Sequence, residues 1–402
     1  MTAGRRRTCR ARAQPTVKRQ RVGVLYGGRS GEHEISLASA AAVFANLDRK
    51  RYEPIAIRIE KDGRWVLADR PPSAASAAEV IEAARADSAR ARPGRRVFMP
   101  PRPGDDTLVI VDQTLGDGPL TEAAATLTGL RLDVIFPVLH GPYGEDGTIQ
   151  GLLELANVPF VGCGVLASAV GMDKSVMKVL FRARGLRVPD WVVVRQHDWE
   201  ANARAVLEAA ARALPAMLFV KPANLGSSLG ISKTRTPDEL GAAIELALGF
   251  DRKVIVEAAV DKAREIECGV IGNETPEASV PGEILPSREF YDYEAKYLDS
   301  ASRLEIPAAL ADADTARVRA QALEAFAAID GSGLARVDFL LSRASGELFV
   351  NEINTMPGFT TISMFAKLWA ASGVDYPTLV DRLLALAVGR HRAKQHLRTS
   401  AV

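Results

Sequence analysis

Hydrophobic residues along this chain recur with two different periods, and the order of the periods sets the expected architecture. Residues 21–26 form an apolar run that reads as a buried strand. A loop rich in Gly and Ser spans 27–36. Leu37, Ala40, Ala41 and Phe44 then fall at helical spacing, with Ser36 placed as the N-cap. Ile55, Ile57 and Ile59 alternate in the next strand. Strand, glycine loop, helix, strand is the order of an α/β unit with a parallel sheet. Residues 70–125 are rich in Ala, Pro and Gly and poorly periodic, and read as an excursion with one helix at 77–91. Order returns with a strand over 132–138.

The second half repeats the alternation. A helix beginning at Asp173-Lys174 carries Val176, Val179, Leu180 and Ala183 on its apolar face and stops at Gly185 and Pro189. Short strands are expected at 191–194, 217–220, 253–256 and 264–270. A helix over 314–329 has Val318, Ala322, Phe326 and Ile329 on one face. Two strands follow, at 335–341 and from Phe349, the second closed by Pro357-Gly358. The tail beyond Gly389 is basic and is expected to fray.

Strand parity brings the first chemistry into view. Arg336 and Asp338 share one face of their strand, and Glu352 and Asn354 share one face of theirs. If the two strands pair, two carboxylates and an amide oxygen converge beside a guanidinium. Such hard oxygen ligands suit Mg²⁺, which takes one or two carboxylates plus phosphate oxygens. The alternative is two polar strand faces turned to water. The loop at 27–36 lacks the third glycine of a dinucleotide fingerprint, and its acids Glu32 and Glu34 are candidates to meet a substrate ammonium. A second glycine loop, 140–147, begins with His140 at the end of a strand, where open α/β sheets bind ligands. After the strand over 217–220, the Gly and Ser residues of 221–230 can wrap phosphate oxygens with N–H and hydroxyl groups, with Lys221 adding charge. Residues 290–297 are aromatic and charged without a period, the pattern of an ordered lid or of a surface loop packed on itself.

Composition narrows the class without naming it. The chain has 402 residues, 47% hydrophobic and 25% charged, which is ordinary for a globular protein of two to three domains. A net charge of +2 offers no global field for nucleic acid. Cys9, Cys163 and Cys268 are too dispersed for a metal knuckle or a disulfide framework, which suits a cytoplasmic location. No apolar run reaches the roughly 18–20 residues that span a bilayer. Residues 1–20 form a basic, acid-free arm whose composition resembles a transit peptide but reads better as a solvated segment.

Taken in order, residues 27–36, 140–147, 226–230, 290–297, 336–338 and 352–358 resemble the ATP-grasp superfamily, and within it the D-alanine–D-alanine ligase family, over about 22–386. The resemblance implies an α/β and α+β chain. An N-terminal α/β substrate domain (21–166) precedes a central (167–256) and a C-terminal (257–390) ATP-grasp domain, with 391–402 as a tail. It implies ligation of two D-alanine molecules through a D-alanyl phosphate, for peptidoglycan precursors. It further implies ATP, two Mg²⁺ ions with Mn²⁺ able to substitute, and a homodimer without nucleic-acid or membrane partners.

By the same resemblance Asp338, Glu352 and Asn354 hold the metal. Lys174, Lys221 and Ser228 hold ATP phosphates, Glu257, Ala258 and Val260 line the adenine pocket, and Glu265 faces the ribose. Glu34 meets the first ammonium with help from His140, and forms a set with Ser227 and Tyr297. Arg336 and the Gly358 backbone steady the oxyanion, Ser363 and Met364 receive the second carboxylate, and Lys296 with Tyr297 sits on the closing loop. Ala258 stands where many relatives carry Lys, and Ala366 where Pro is usual. A D-alanine–D-lactate ligase on the same fold, or a non-catalytic ATP-binding sensor, are the alternatives. Against them stand Tyr293-Glu294-Ala295-Lys296-Tyr297, of the dipeptide-forming kind, and the presence of all three metal-ligand candidates.

Overall fold

A computed structural model describes residues 18–72, 94–104, 107–112, 126–285 and 303–398. Three sheets follow one another along the chain. In the first, β1 (Gln20–Gly27) pairs in parallel with β2 (Tyr52–Ile59) and β7 (Val134–Val138), as the α/β pattern requires. Helix α1 (His33–Asn46) crosses between β1 and β2. The sheet is nonetheless mixed. β3 (Trp65–Ala68), β4 (Gly94–Phe98), β5 (Leu108–Asp112) and β6 (Thr126–Leu130) extend it by antiparallel pairing, giving the order β6-β5-β4-β3-β2-β1-β7. The region expected to be an irregular excursion therefore contributes strands. The helix expected at 77–91 lies outside the described residues.

Helices α2 (Thr148–Leu155) and α3 (Val165–Met172) lead to α4 (Lys174–Ala183). The side chain of Asp173 caps α4 by accepting from the N–H groups of Ser175 and Val176, both at 3.1 Å, a contact worth about 1 kcal/mol. The face of α4 is the reverse of the expected one. Val176 and Val179 are 42% and 56% exposed, whereas Lys174, Met177, Lys178 and Phe181 point inward.

The second sheet comprises β8 (Trp191–Arg195), β9 (Leu218–Pro222), β10 (Ser232–Thr234) and β11 (Lys253–Ala258), in the order β10-β9-β11-β8. Helices α5 (Gln196–Ala213) and α6 (Pro237–Leu248) supply its core. Because β11 runs to Ala258, this sheet reaches two residues past the boundary expected at 256.

The third sheet runs β15 (Arg303–Glu305), β14 (Gly282–Leu285), β12 (Ala263–Gly272), β16 (Gly333–Ser342), β17 (Leu348–Asn354), with β13 (Glu277–Ala278) on β12. Helix α7 (Asp312–Ala328) packs on it through Val318, Ala322 and Phe326, with Ile329 just beyond its end. Helices α8 (Met364–Ala371) and α9 (Tyr376–Gln395) then return to the first sheet. Phe359 meets Phe136 edge-on at 5.4 Å and Phe365 at 5.6 Å, and Leu379, Leu383 and Leu384 join Val24 and Phe136 in one core. The end of the chain thus completes the domain that began it. Nor does the helix fray between Gly389 and Gln395: Arg390 donates to Phe160 O at 3.0 Å and Lys394 pairs with Glu154 at 2.5 Å.

Candidate active site

The pairing of β16 with β17 puts Asp338 opposite Glu352 and Arg336 opposite Asn354, with a register shift immediately after Asp338. Asn354 Nδ2 donates to Asp338 Oδ2 at 3.0 Å. Arg336 forks onto both oxygens of Asp338 at 2.7 Å, and its Nε lies 2.9 Å from Glu267 on the neighbouring β12. Burial opposes the charge on Arg336. Asp338 and Glu267 outweigh that burial and raise its pKa, so the guanidinium is a fixed cation.

These strands form one wall of an open cleft. The opposite wall is the second sheet and α4. Lys174 Nζ donates to Leu225 O at 2.7 Å and lies 3.8 Å from Glu352. Lys221 on β9 lies 2.8 Å from Glu257 Oε1 and 3.3 Å from Asn351 Oδ1. Ser227, Ser228 and Gly230 have φ of 53°, 57° and 70°. Consecutive left-handed residues are strained for serine and bend the chain into a concavity suited to an anion. Ala258, Val260 and Glu265 line the same cleft.

Glu257 lines the cleft beside Ala258 and Val260. Its side chain is 1% exposed and both its oxygens face lysines, Lys178 at 2.6 Å and Lys221 at 2.8 Å. Burial would raise its pKa, but the two ammonium groups lower it below the ordinary carboxylate value. Its carboxylate is thus held between the two ammonium groups.

A smaller recess adjoins the cleft, lined by Glu145, Lys174, Glu352, Asn354 and Thr355. Near it the glycine loops of the first domain bring Glu32 and Glu145 together. A methyl group on Gly226 would lie 3.3 Å from Glu32 Oε2 and 3.7 Å from Glu145 Oε1. Ser227 Oγ donates to Glu32 Oε1, and the Gly141 N–H donates to Glu145 at 2.9 Å. Burial, reinforced by the like charge of Glu32, pushes the Glu145 carboxyl up to about 8.

Here the structure departs from the expectation. The acid that Ser227 meets is Glu32, not Glu34. Helix α1 begins at His33, three residues before the expected cap, so Glu32 and Glu34 flank its first residue and face different ways. Glu34 pairs with Lys61 at 2.6 Å. Ser36 lies inside the helix, where its Oγ accepts from Gly27 N at 2.8 Å.

His140 is 4% exposed and uses both ring nitrogens. Nδ1 lies 3.1 Å from Met356 O and must donate to it, and Nε2 lies 3.1 Å from Ser39 Oγ and accepts from it. Ser39 in turn accepts from Phe359 N at 3.2 Å. Burial lowers the His140 pKa against the opposing pull of Glu32. The neutral ring is thereby committed to holding the 356–359 turn and is not free to bond a ligand. Ser363 Oγ accepts from Thr360 N at 3.0 Å, and a methyl on Gly358 would meet it at 3.0 Å. Met364 is buried with Ile284 and Leu368, so it offers a ligand only the backbone N–H at the start of α8. Lys296, Tyr297 and the expected lid lie outside the described residues.

Sequence reasoning did not single out Glu32 over Glu34, and it assigned no part to Glu145, Lys178 or Glu267. Glu145 stood in a quoted glycine loop. Lys178 carried a readable signal, since it is one helical turn from Lys174.

Among the described residues no group of three or more His, Cys, Asp or Glu side chains is arranged for a metal. Two carboxylates and an amide oxygen are a different donor set, and they suit a hard cation that takes its remaining ligands from phosphate and water. Asp338, Glu352 and Asn354 fit that description. No helix among the described residues is long and apolar enough to cross a membrane.

Family models for the D-alanine–D-alanine ligase N-terminus and C-terminus match residues 21–163 and 180–385. The chain is 48% identical over 379 residues to a D-alanine–D-alanine ligase of Heliobacterium modesticaldum, covering 94% of this chain and 97% of that one. It is 45% identical to one from Geobacillus kaustophilus, with coverages of 93% and 96%. Among solved structures it resembles the D-alanine–D-alanine ligase from Coxiella burnetii (TM-score 0.73, 34% identity, 94% and 97% covered). It also resembles the VanG D-Ala:D-Ser ligase from Enterococcus faecalis (TM-score 0.76, 31% identity, 92% and 100% covered). Fold and site together define an ATP-grasp enzyme, an ATP-dependent carboxylate–amine ligase. Within that class, the chain belongs to the D-alanine–D-alanine ligase family.

Proposed function

We propose that this chain joins two D-alanine molecules into D-alanyl-D-alanine for peptidoglycan precursor synthesis, converting ATP to ADP and phosphate. A carboxylate is a poor acyl donor. Its oxygen first attacks the γ-phosphorus, the bridging P–O bond to ADP breaks, and a D-alanyl phosphate results. The amine of the second D-alanine then attacks the carbonyl carbon and loses a proton, and the acyl C–O bond breaks to release phosphate.

Each charge finds a counterpart in the site. Lys174, Lys221, Ser228 and the left-handed serine turn receive the phosphates, Glu265 the ribose, and the Ala258 and Val260 segment the adenine. Glu32, held by Ser227, takes the role first given to Glu34 and meets the ammonium of the first D-alanine. Arg336 and the Gly358 N–H stabilise the oxyanion, and Ser363 with the Met364 N–H receives the second carboxylate at a helix N-terminus. When bound at Asp338, Glu352 and Asn354, Mg²⁺ would spread the charge of the transferred phosphoryl group; two ions, replaceable by Mn²⁺, are part of the proposal. Lys296 and Tyr297 belong to the closing loop in this reading, which would keep water from the acyl phosphate. A cytoplasmic homodimer completes it.

The observation that supports this most is one cleft holding Lys174 and Lys221 opposite Asp338 and Glu352, beside the Glu32–Ser227 pair. The test is phosphate release with ATP and D-alanine, together with product analysis. One phosphate per D-alanyl-D-alanine is expected. ATP binding without D-alanine-dependent phosphate release would point to the sensor reading.

A further inference from the structure

Lys178 is absent from the cleft wall, yet it is tied to that wall by a single intermediary. Its side chain is 1% exposed, and its ammonium lies 2.6 Å from Glu257 Oε2. The other oxygen of Glu257 lies 2.8 Å from Lys221, which does line the cleft. Glu257 and Lys221 stand diagonally on paired strands, Ile255 being opposite Lys221 and Glu257 opposite Phe219, so they share a face of the second sheet. From the other side, α4 brings Lys178 in on the face that also carries Lys174. The three groups form a closed row: ammonium, carboxylate, ammonium.

A row of two cations and one anion carries one net positive charge. Burying it is costly, and apolar side chains of similar size usually serve stability as well or better. Its value therefore lies elsewhere. Without Lys178, Glu257 would belong to Lys221 alone and cancel it. Of the lysines lining the cleft, only Lys174 would then be left to meet a phosphate chain, and it already lies 3.8 Å from Glu352, with Glu265 and Asp338 in the same wall.

We infer that Lys178 is a positioning residue for nucleotide binding: it neutralises Glu257 from behind, so that Lys221 keeps a full charge, correctly placed, for the phosphates. The effect then depends on the charge of the ligand. It is strong for ATP and ADP and absent for adenosine, which carries none.

The inference rests on the ATP-dependent reading above, and D-alanine-dependent phosphate release by the unmodified protein checks that reading first. Lys178→Met is then compared with the double variant Lys178→Met/Glu257→Gln, whose row again carries one positive charge. In the single variant KM for ATP and the inhibition constant of ADP are expected to rise about tenfold or more, while KM for D-alanine and the inhibition constant of adenosine stay within about twofold. The double variant is expected to recover ADP and ATP affinity to within about threefold of the unmodified protein. If the single variant does not fold, the double variant, which leaves no uncompensated carboxylate, carries the test alone: weak ADP binding beside normal adenosine binding would overturn the inference. Equal losses for adenosine and ADP, or an unchanged KM for ATP in a folded Lys178→Met protein in which phosphate release is intact, would overturn it as well.

Discussion

At the nucleotide end of the cleft Glu257 divides its oxygens between Lys178 and Lys221, and the charges there are matched inside the protein. At the amino-acid end Glu32 and Glu145 converge with hydroxyl and N–H donors and, among the described residues, no ammonium within ion-pair distance, and their mutual repulsion helps push Glu145 up to about 8. The first arrangement is complete before a ligand arrives and offers one surplus positive charge. The second is left short of a cation, which the ammonium of an amino acid would supply. On the proposed reading, two opposite strategies serve one reaction: pre-paired charges would orient an anion whose position must be fixed for phosphoryl transfer, whereas a like-charge pair would be relieved by a small cation.

The largest effect is expected where the cleft would hold metal. Glu352→Gln keeps the shape of the side chain and removes a charge that lies opposite Asp338. It should cost several kcal/mol of transition-state stabilisation, about 10³-fold in kcat/KM, with an unchanged far-UV spectrum. Near-normal turnover would remove Glu352 from the chemistry.

A moderate effect probes the like-charge pair. A carboxyl pKa raised by folding means that the folded state binds more protons than the unfolded one between about 4.5 and about 8. This group's contribution to stability is therefore full below about 4.5 and is lost as pH rises through about 8. Thermal melts of the ligand-free protein at several pH values across that window should show a decline that Glu145→Gln flattens. Parallel declines in both proteins would mean that the pair does not store the repulsion.

The smallest effect is expected at the ion pair outside the site. Lys61 is 65% exposed where it meets Glu34. Lys61→Ala should shift stability by less than about 1 kcal/mol and leave KM for D-alanine unmoved, in contrast to the loss of ATP affinity expected for Lys178→Met.

What was legible in the sequence follows from the same physics. Period-two alternation on two strands was enough to bring Arg336, Asp338, Glu352 and Asn354 together, because strand parity fixes the face and a short connection favours pairing. The periodic face of α7 was legible for an equivalent reason. The face of α4 was not, since an amphipathic reading turns lysines outward, and only the fold brings Glu257 to meet Lys178. Strands β3 to β6 were missed because they are four or five residues long and several carry Arg, Thr or Gly in place of a clear apolar alternation. The choice between Glu32 and Glu34 turned on where α1 begins. Side chains two positions apart at a helix start point about 200° apart, so an error of four residues in the cap, Ser36 expected and Glu32 found, left the two acids indistinguishable.

That choice can be measured directly by comparing Glu32→Gln with Glu34→Gln in the D-alanine dependence of ligation. Glu32 is buried against Ser227, and Glu34 is spent on Lys61. Glu32→Gln is expected to raise KM for the first D-alanine about 10- to 100-fold, the loss of a charged hydrogen-bond partner worth about 1.5–3 kcal/mol. Glu34→Gln is expected to leave it within about twofold. A large rise in Glu34→Gln with none in Glu32→Gln would contradict the placement of the amino-acid end of the site.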